Sequence, residues 1–432
     1  MTSPPSVEKI PVSASPLRRA LAFAVIIQSI GAGLAILTVL GISRWLGSVA
    51  QGHFAIYKNW YEITTLALLF GTPQGIVYAI NRDFVTPAFA MRIAVWLSLV
   101  AVPVLFLLAI VEAPIGYLPQ NDGFVSAVLI ALGCAGYVFH GLARSILLTR
   151  RDGVLFSLVS VAPTAGIALV IFVMTFIDRV NIGLAFAING MGCALLGLLA
   201  IQGVEASDRK PRAGWRTVLF RQSAHFLVQS LLLAGQPLIV FAFLQFGAGV
   251  TAVGVFSFAL VGLVAINALI GMVAPILYSR WSRAARARVL SHVNGIIARV
   301  ALVAGIALSM GMYVFSHMTG LFGGAEFADA GSVVAILALG CVPLVFTRLA
   351  QPALAASGRT EVGTLIGVLR FGSIVAILLA SLLWDWDGIT VAAVGWTISE
   401  WLAAGALGLL LNRGGYEETE CSDPTLSNLS EP

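Results

Sequence analysis

The chain has 432 residues and a formal net charge of +5, and 59% of its residues are hydrophobic while only 10% are charged. Its mean hydropathy is +0.96, so a soluble protein of this length would expose more apolar surface than water tolerates. The composition excludes a soluble globular protein and predicts an integral membrane protein. Positive charge alone could indicate nucleic acid, but membrane topology accounts for the cations, and we expect no nucleic-acid partner.

Twelve apolar segments follow one another along the chain, each close to the ~20 residues that cross a bilayer as a helix. We therefore predict an all-α polytopic membrane protein with two homologous six-helix lobes around a central cavity. The predicted parts are a disordered N-terminus (1–19), an N-lobe (20–203), a linker (204–221), a C-lobe (222–411) and a disordered tail (412–432). The predicted spans are 20–43, 54–80, 89–111, 124–149, 154–177, 181–203, 222–246, 251–279, 293–317, 330–356, 361–383 and 388–411.

The positions of the cations predict the orientation. When the N-terminus is placed inside, all Lys and Arg residues except Arg44, Lys58 and Arg179 fall in inner loops or at inner helix ends. Cytoplasmic loops carry such an excess of Lys and Arg. We expect both termini, and the linker, to lie in the cytoplasm.

One pattern occurs twice, which indicates an internal duplication. It consists of G-x4-G-x-F, then eighteen residues and a proline, and its two copies are separated by 202 positions, as 249 minus 47 gives. Internal repeats are common in secondary transporters, whose substrate site lies between the repeats. The matching residues are Gly47 with Gly249, Gly52 with Gly254, Phe54 with Phe256, and Pro73 with Pro275.

Lys58 and Glu62 are charged residues within the second predicted span, and they lie four positions apart on one helix face. Ionisable groups inside a span normally face the bundle interior or a wet cavity. One interpretation is a polar stripe that lines the cavity, with Lys58 holding an anion or Glu62 responding to a coupling ion. The other is a local ion pair near the outer interface, with Lys58 snorkelling to it.

Four arginines lie within or near the inner halves of predicted spans. The planar guanidinium suits phosphate oxygens, so this set could receive an anionic substrate; the alternative is snorkelling to inner-leaflet headgroups. Glu400, midway along the last span, either pairs with Arg370 or binds a cation. The four arginines are Arg144, Arg299, Arg348 and Arg370.

No motif in the sequence indicates catalysis or a cofactor. Cys134, Cys193 and Cys341 fall in apolar segments and Cys421 in the tail, without metal-ligand spacing. No nucleophile–base arrangement or nucleotide-binding loop occurs. We predict no catalytic residues, no metal and no cofactor.

Three segments carry a family resemblance. The stretch 42–82 combines a Leu-Gly turn with a Gly-x-aromatic start, 253–283 resembles an eighth helix, and 321–361 contains G-x-x-F-x-x-A and A-x-G-R. Together they resemble the bacterial polysaccharide repeat-unit flippases of the multidrug/oligosaccharidyl-lipid/polysaccharide exporter (MOP) superfamily. The chain departs from them at Gln236 and Pro237, where many relatives carry an acidic–basic pair, which puts ion coupling at that position in doubt.

The resemblance implies a function and a location. It implies a flippase that moves a polyprenyl-pyrophosphate-linked oligosaccharide from the inner to the outer leaflet of the bacterial inner membrane by alternating access. It also implies a monomer that contacts membrane lipids and works with polysaccharide polymerase or assembly proteins. Two alternatives remain open: a MATE-like drug or cation antiporter of the same superfamily, and a membrane glycan polymerase or ligase.

Overall fold

A computed structural model describes residues 14–112, 124–149, 153–177, 180–202, 211–281, 295, 297–356, 360–383 and 387–413. Within these residues all regular structure is helical. In the first half the helices are α1 (Ala14–Leu69), α2 (Thr72–Asn81), α3 (Pro87–Glu112), α4 (Phe124–Thr149), α5 (Gly153–Phe176) and α6 (Ile182–Ile201).

The second half contains nine helices in its described residues and one 3-10 turn, Ala325–Phe327. The helices are α7 (Trp215–Ala248), α8 (Val250–Ala259), α9 (Val261–Trp281), α10 (Ala298–Ser316), α11 (Thr319–Gly323), α12 (Ala330–Ala338), α13 (Cys341–Ala356), α14 (Thr360–Ser381) and α15 (Gly388–Arg413).

The described helices account for twelve membrane crossings. Nine are long and apolar enough to span a bilayer, and two bent pairs, α8 with α9 and α12 with α13, raise the number to eleven. Helix α1 adds the twelfth, because it has 56 residues and breaks at Gly47, whereas one crossing needs only ~20 residues. The predicted all-α, two-lobe fold is therefore confirmed.

The first glycine of the repeated pattern starts a new helix in each lobe. Gly47 has φ 83° and ψ −178°, and Gly249 has φ 86° and ψ 174°. This left-handed backbone suits glycine, which lacks the Cβ that would clash. The same turn thus separates the first crossing from the second in both lobes.

The second glycine of the pattern brings the two lobes together. A Cβ atom at Gly52 would collide with the carbonyl oxygen of Val250, and one at Gly254 would collide with the carbonyl oxygen of Ser48. Because Ser48 and Val250 are themselves 202 positions apart, this contact is reciprocal, as at an interface with two-fold symmetry. The repeat therefore forms a pseudo-symmetric crossing of α1 with α8.

The phenylalanine of the pattern packs inside its own lobe. The Phe54 ring lies 5.6 Å from the Phe186 ring of α6, and the Phe256 ring lies 6.5 Å from the Trp396 ring of α15. Phe54 and Phe256 are both buried. Each aromatic side chain thus ties the second crossing of its lobe to the last crossing.

The two prolines lie on equivalent crossings with different local geometry. Pro73 lies in the first turn of α2, directly after a break at Phe70 and Gly71, both with positive φ. Pro275 lies inside α9, and the break in that crossing comes earlier, at Leu260. The prolines therefore occupy equivalent positions in the two duplicated crossings, but the two crossings bend at different depths.

Three predicted boundaries differ from the structure. Residues 14–19, expected to be disordered, form the start of α1; residues 215–221, assigned to the linker, form the start of α7; and residues 412–413 of the predicted tail end α15. Hydropathy detects only the apolar part of a helix, whereas backbone hydrogen bonding continues into the polar interface. The remaining predicted disordered segments, 1–13 and 414–432, lie outside the described residues.

The lobes also contact each other at the opposite end of the second crossing. Val77 of α2 and Tyr278 of α9 form a buried apolar cluster, with Leu148 and Phe226 packed against it. A Cβ atom at Gly71 would collide with the carbonyl oxygen of Ser223 in α7. The second crossing of the N-lobe therefore forms much of the described interface with the C-lobe.

Candidate functional site

The C-lobe encloses an ion pair. Nη2 of Arg370, on α14, lies 2.8 Å from Oε2 of Glu400, on α15, and the two side chains are 2% and 1% exposed. The same nitrogen donates a hydrogen bond to Oγ1 of Thr347, on α13, over 2.7 Å. Burying charges is costly unless they are paired and hydrogen-bonded. Three helices thus meet at one polar group near the middle of the lobe.

Arg348 adds a second cation to this group. It follows Thr347 on α13, is 9% exposed, and its Nε has no hydrogen-bond partner in the described part of the chain. It interacts electrostatically with both Arg370 and Glu400. Within 4.0 Å, Glu400 pairs with Arg370 and not with Arg348 in the described residues, so the interior of the C-lobe holds two guanidinium groups and one carboxylate, a formal excess of positive charge.

Glu62 extends the polar group towards the other lobe. Its side chain is exposed on the second half of α1, and it interacts electrostatically with Arg348. Lys58, one turn earlier, is half-buried. In the described residues no ion pair within 4.0 Å joins Lys58 to Glu62. The structure thus relates Glu62 to a cation of the opposite lobe and does not pair it with its helical neighbour.

We call five residues the central polar site: Glu62, Arg348, Arg370 and Glu400, together with Lys58, which is included because it lies one turn before Glu62 on the same helix face. Sequence analysis named all five. The burial of Arg370 and its contact with Glu400 differ from the geometry of a snorkelling arginine, whose head group reaches the interface. The site is built by one crossing of the N-lobe and three helices of the C-lobe.

Arg299 is not brought to this site. It is exposed near the start of α10, on the same helical face as Val303, Ile306 and Met310, which are 70%, 47% and 66% exposed. An exposed apolar stripe on a membrane helix faces lipid. The position fits the alternative interpretation, in which Arg299 reaches lipid headgroups.

Arg144 lies within the N-lobe, away from the central polar site. Its guanidinium carbon lies 6.0 Å from the centroid of the Phe156 ring of α5, a cation–π geometry. His140, one turn earlier on α4, is buried, and its Nε2 lies 2.8 Å from the carbonyl oxygen of Val159. These contacts join α4 to α5 and do not bring Arg144 to Arg348 or Arg370.

Sequence analysis missed Thr347 and Asn59 as parts of the polar network. Nδ2 of Asn59, beside Lys58, donates a 3.2 Å hydrogen bond to the carbonyl oxygen of Ala234 on α7, which links the two lobes. Gln236 is fully buried, and neither of its amide atoms has a hydrogen-bond partner among the described residues. The available signal was a polar side chain next to a charged residue within an apolar span: Asn59 follows Lys58, and Thr347 precedes Arg348.

The fold matches those of solved MOP-superfamily transporters. An outward-facing multidrug resistance MATE family transporter of that superfamily superposes with a TM-score of 0.71 at 14% identity, over 92% of this chain and 95% of the other. The MATE transporter VcmN of Vibrio cholerae, in its bent form, gives 0.64 at 14% identity, over 92% and 98%.

A third solved structure is a MOP superfamily transporter from Pyrococcus furiosus, described with the words "reverse polarity of binding pocket suggests different function". It gives a TM-score of 0.70 at 16% identity, over 92% of this chain and 95% of the other. No protein-family profile matches the sequence, and the search of curated proteins found no similar protein. At these identities, what this chain shares with its neighbours is the fold.

Proposed function

We propose that this protein is a MATE-like transporter of the MOP superfamily, which moves an amphipathic solute across the membrane by alternating access between its lobes. The similarity of its fold to multidrug transporters supports this exporter over the flippase implied by the sequence resemblance. The observation that carries the proposal is the buried Arg348–Arg370–Glu400 group, with Glu62 across the lobe interface. Charges inside a membrane bundle are costly, and they commonly mark substrate or ion pathways.

The charges of the central polar site favour an anionic or zwitterionic solute. Its three cations, Lys58, Arg348 and Arg370, outnumber its two carboxylates. The Nε atoms of both arginines are buried and have no hydrogen-bond partner in the described residues, so they are free to donate to a ligand's oxygens in a conformation that opens the site. The part of α1 before Gly47 contains no Asp or Glu, which disfavours simple exchange of an organic cation there.

A lipid-linked oligosaccharide is the second candidate solute. Its pyrophosphate would match the planar fork of arginine, which binds phosphate oxygens through two parallel hydrogen bonds. A pyrophosphate must otherwise cross ~30 Å of hydrocarbon. Arg348 supports this candidate specifically. Glu400 already partly neutralises Arg370, so Arg348 is the second guanidinium that could bind a phosphate.

The test uses purified protein in liposomes and three probes: a fluorescent organic cation, a small fluorescent organic anion and a fluorescently labelled polyprenyl pyrophosphate. Arg348→Gln removes the buried cation of the site that has no ion-pair partner within 4.0 Å in the described residues, and Arg299→Gln is the matched control on the lipid face. We expect Arg348→Gln to slow transport of whichever anionic probe the protein moves by about tenfold or more, which is the effect of losing a charge-assisted hydrogen bond. Arg299→Gln should change it less than about twofold.

The outcomes separate the candidates. Movement of the labelled polyprenyl pyrophosphate that depends on Arg348 supports the flippase. Movement of small organic anions alone supports the exporter with an anionic solute. Transport of the organic cation that survives Arg348→Gln refutes the anionic assignment, and no protein-dependent movement of any of these probes refutes the proposed function.

A further inference from the structure

A carboxylate outside the membrane spans joins the lobes on the side where Gly47 and Gly249 lie, which the cation positions predict to be the outer side. Oε2 of Glu326, in the 3-10 turn of the C-lobe, accepts a 3.0 Å hydrogen bond from the backbone N–H of Ser48. Ser48 follows the break at Gly47 and begins the second half of α1, where the first N–H groups lack partners within the helix. The cap of an N-lobe helix is therefore supplied by the C-lobe.

The turn that carries Glu326 is anchored to its own lobe. The Phe327 ring is fully buried and lies 4.6 Å from the Phe258 ring of α8. Ala330 is also buried in the same apolar cluster, and Gly324 supplies a left-handed turn with φ 93°. This explains the G-x-x-F-x-x-A motif physically: it fixes the loop to α8, so Glu326 moves with the C-lobe.

Other contacts converge on the same junction. Nε2 of Gln51 donates a 3.1 Å hydrogen bond to Oγ of Ser257, next to the Gly52–Gly254 crossing. Arg44, at the end of the first crossing, has a guanidinium nitrogen 3.4 Å from the position a Cβ atom would take at Gly324. The Arg44 cation thus lies close to the segment that carries the Glu326 carboxylate.

We propose that Glu326 is a latch that stabilises the conformation in which the outer ends of the lobes are together. Its carboxylate satisfies the N-terminus of the second half of α1, where the helix dipole also favours negative charge, only while Ser48 stays against the C-lobe. Separation of the lobes at this side breaks the contact. The latch concerns the conformational equilibrium and does not depend on which solute is moved.

Hydrogen bonds from Ser48 hold the pKa of the Glu326 carboxyl below its ordinary value, so the group is ionised at neutral pH. The charged group at the junction on α1 is Arg44, and Asp329 lies three residues further along the C-lobe segment. The latch therefore operates as a carboxylate throughout the neutral range.

Distances between spin labels test the latch in the full-length protein, with Cys421→Ser to remove the tail thiol. The labels replace Trp45 in the N-lobe and Leu321 in the C-lobe, which are 68% and 69% exposed. Glu326→Ala should shift the ratio of long to short distances roughly fivefold towards long, the size expected for losing one helix cap. Asp329→Asn is the matched control, because that exposed side chain makes no hydrogen bond or ion pair within the described residues.

Two further variants fix the interpretation. Glu326→Gln retains an oxygen that can accept the Ser48 hydrogen bond but loses the charge, so its shift should be smaller than that of Glu326→Ala. Gly52→Ala adds a methyl group that collides with Val250 at the crossing of α1 with α8. It should therefore lengthen the distance between the two labels without affecting the Glu326 contact directly. The proposal is overturned if Gly52→Ala lengthens the distance while Glu326→Ala leaves it unchanged, or if Asp329→Asn acts as strongly as Glu326→Ala. The distance measurement does not require transport activity, so it tests the latch even if the proposed function is wrong.

Discussion

Replacing the Arg370–Glu400 pair tests whether the central polar site is a functional site or only a structural one. Arg370→Ala by itself cannot decide, because Arg370 is buried against Glu400 and its loss would also affect folding. The informative set is Arg370→Met, Glu400→Leu and the double variant. Apolar side chains of similar volume can replace a buried ion pair without loss of stability.

The structure predicts an order of stability among these variants. Breaking a buried ion pair by removing one partner costs about 3–5 kcal/mol. Arg370→Met should lie at the low end of that range, because Arg348 remains in electrostatic range of Glu400. Glu400→Leu should lie at the high end, because it leaves the buried Arg370 guanidinium without its carboxylate and with the buried Arg348 cation nearby. The double variant should recover most of the loss, although Arg348 still lacks Glu400.

The assay combines denaturation of the detergent-purified protein with transport in liposomes. A functional site predicts a double variant that is nearly as stable as the parent and is inactive. Recovery of both stability and transport would show that the pair only holds α14 to α15. If the two single effects simply add in the double variant, the residues are not coupled and the reasoning from the 2.8 Å contact fails.

Two other predictions concern stability and topology. Phe327→Ala should cost about 3–5 kcal/mol, because it empties a fully buried aromatic site, whereas the partly exposed Phe322→Ala should cost much less in the same denaturation assay. Reporter fusions placed after Asp208 and after Arg286 should be active only in a cytoplasmic assay; a signal from outside at either position would contradict the predicted orientation.

The number of crossings and the duplication were predictable from sequence because both are local, one-dimensional signals. Each crossing must supply a run of apolar residues long enough for the bilayer, and the spacing of the two copies is visible without coordinates. The break at Gly47 was also marked by its residue type, since glycine readily adopts its left-handed geometry. The bend between α12 and α13 likewise contains a glycine, Gly340, whereas the bend at Leu260 has no such residue, because packing in the fold determines where that crossing bends.

From the sequence, the candidate site was predictable only as a set of charged residues within spans. The structure brings some of these residues together and places the others elsewhere. Arg370 pairs with Glu400 and Arg348 lies in electrostatic range of both, Arg299 lies on an exposed apolar face, and Arg144 packs on Phe156 in the other lobe. Depth along a helix follows from counting residues at 1.5 Å each. The direction in which a side chain points relative to another helix depends on how the two helices are rotated and packed.

The sequence by itself determined that this is a twelve-span membrane protein with two related halves, because hydropathy and repeat spacing are carried by neighbouring residues. Only the tertiary structure decided that Gly52 and Gly254 lie at one close crossing, that Glu326 caps a helix of the opposite lobe, and that Glu62 comes into electrostatic range of Arg348 in the other lobe. These contacts join residues far apart in the chain. They arise only when whole helix faces pack, and no local pattern encodes which faces meet.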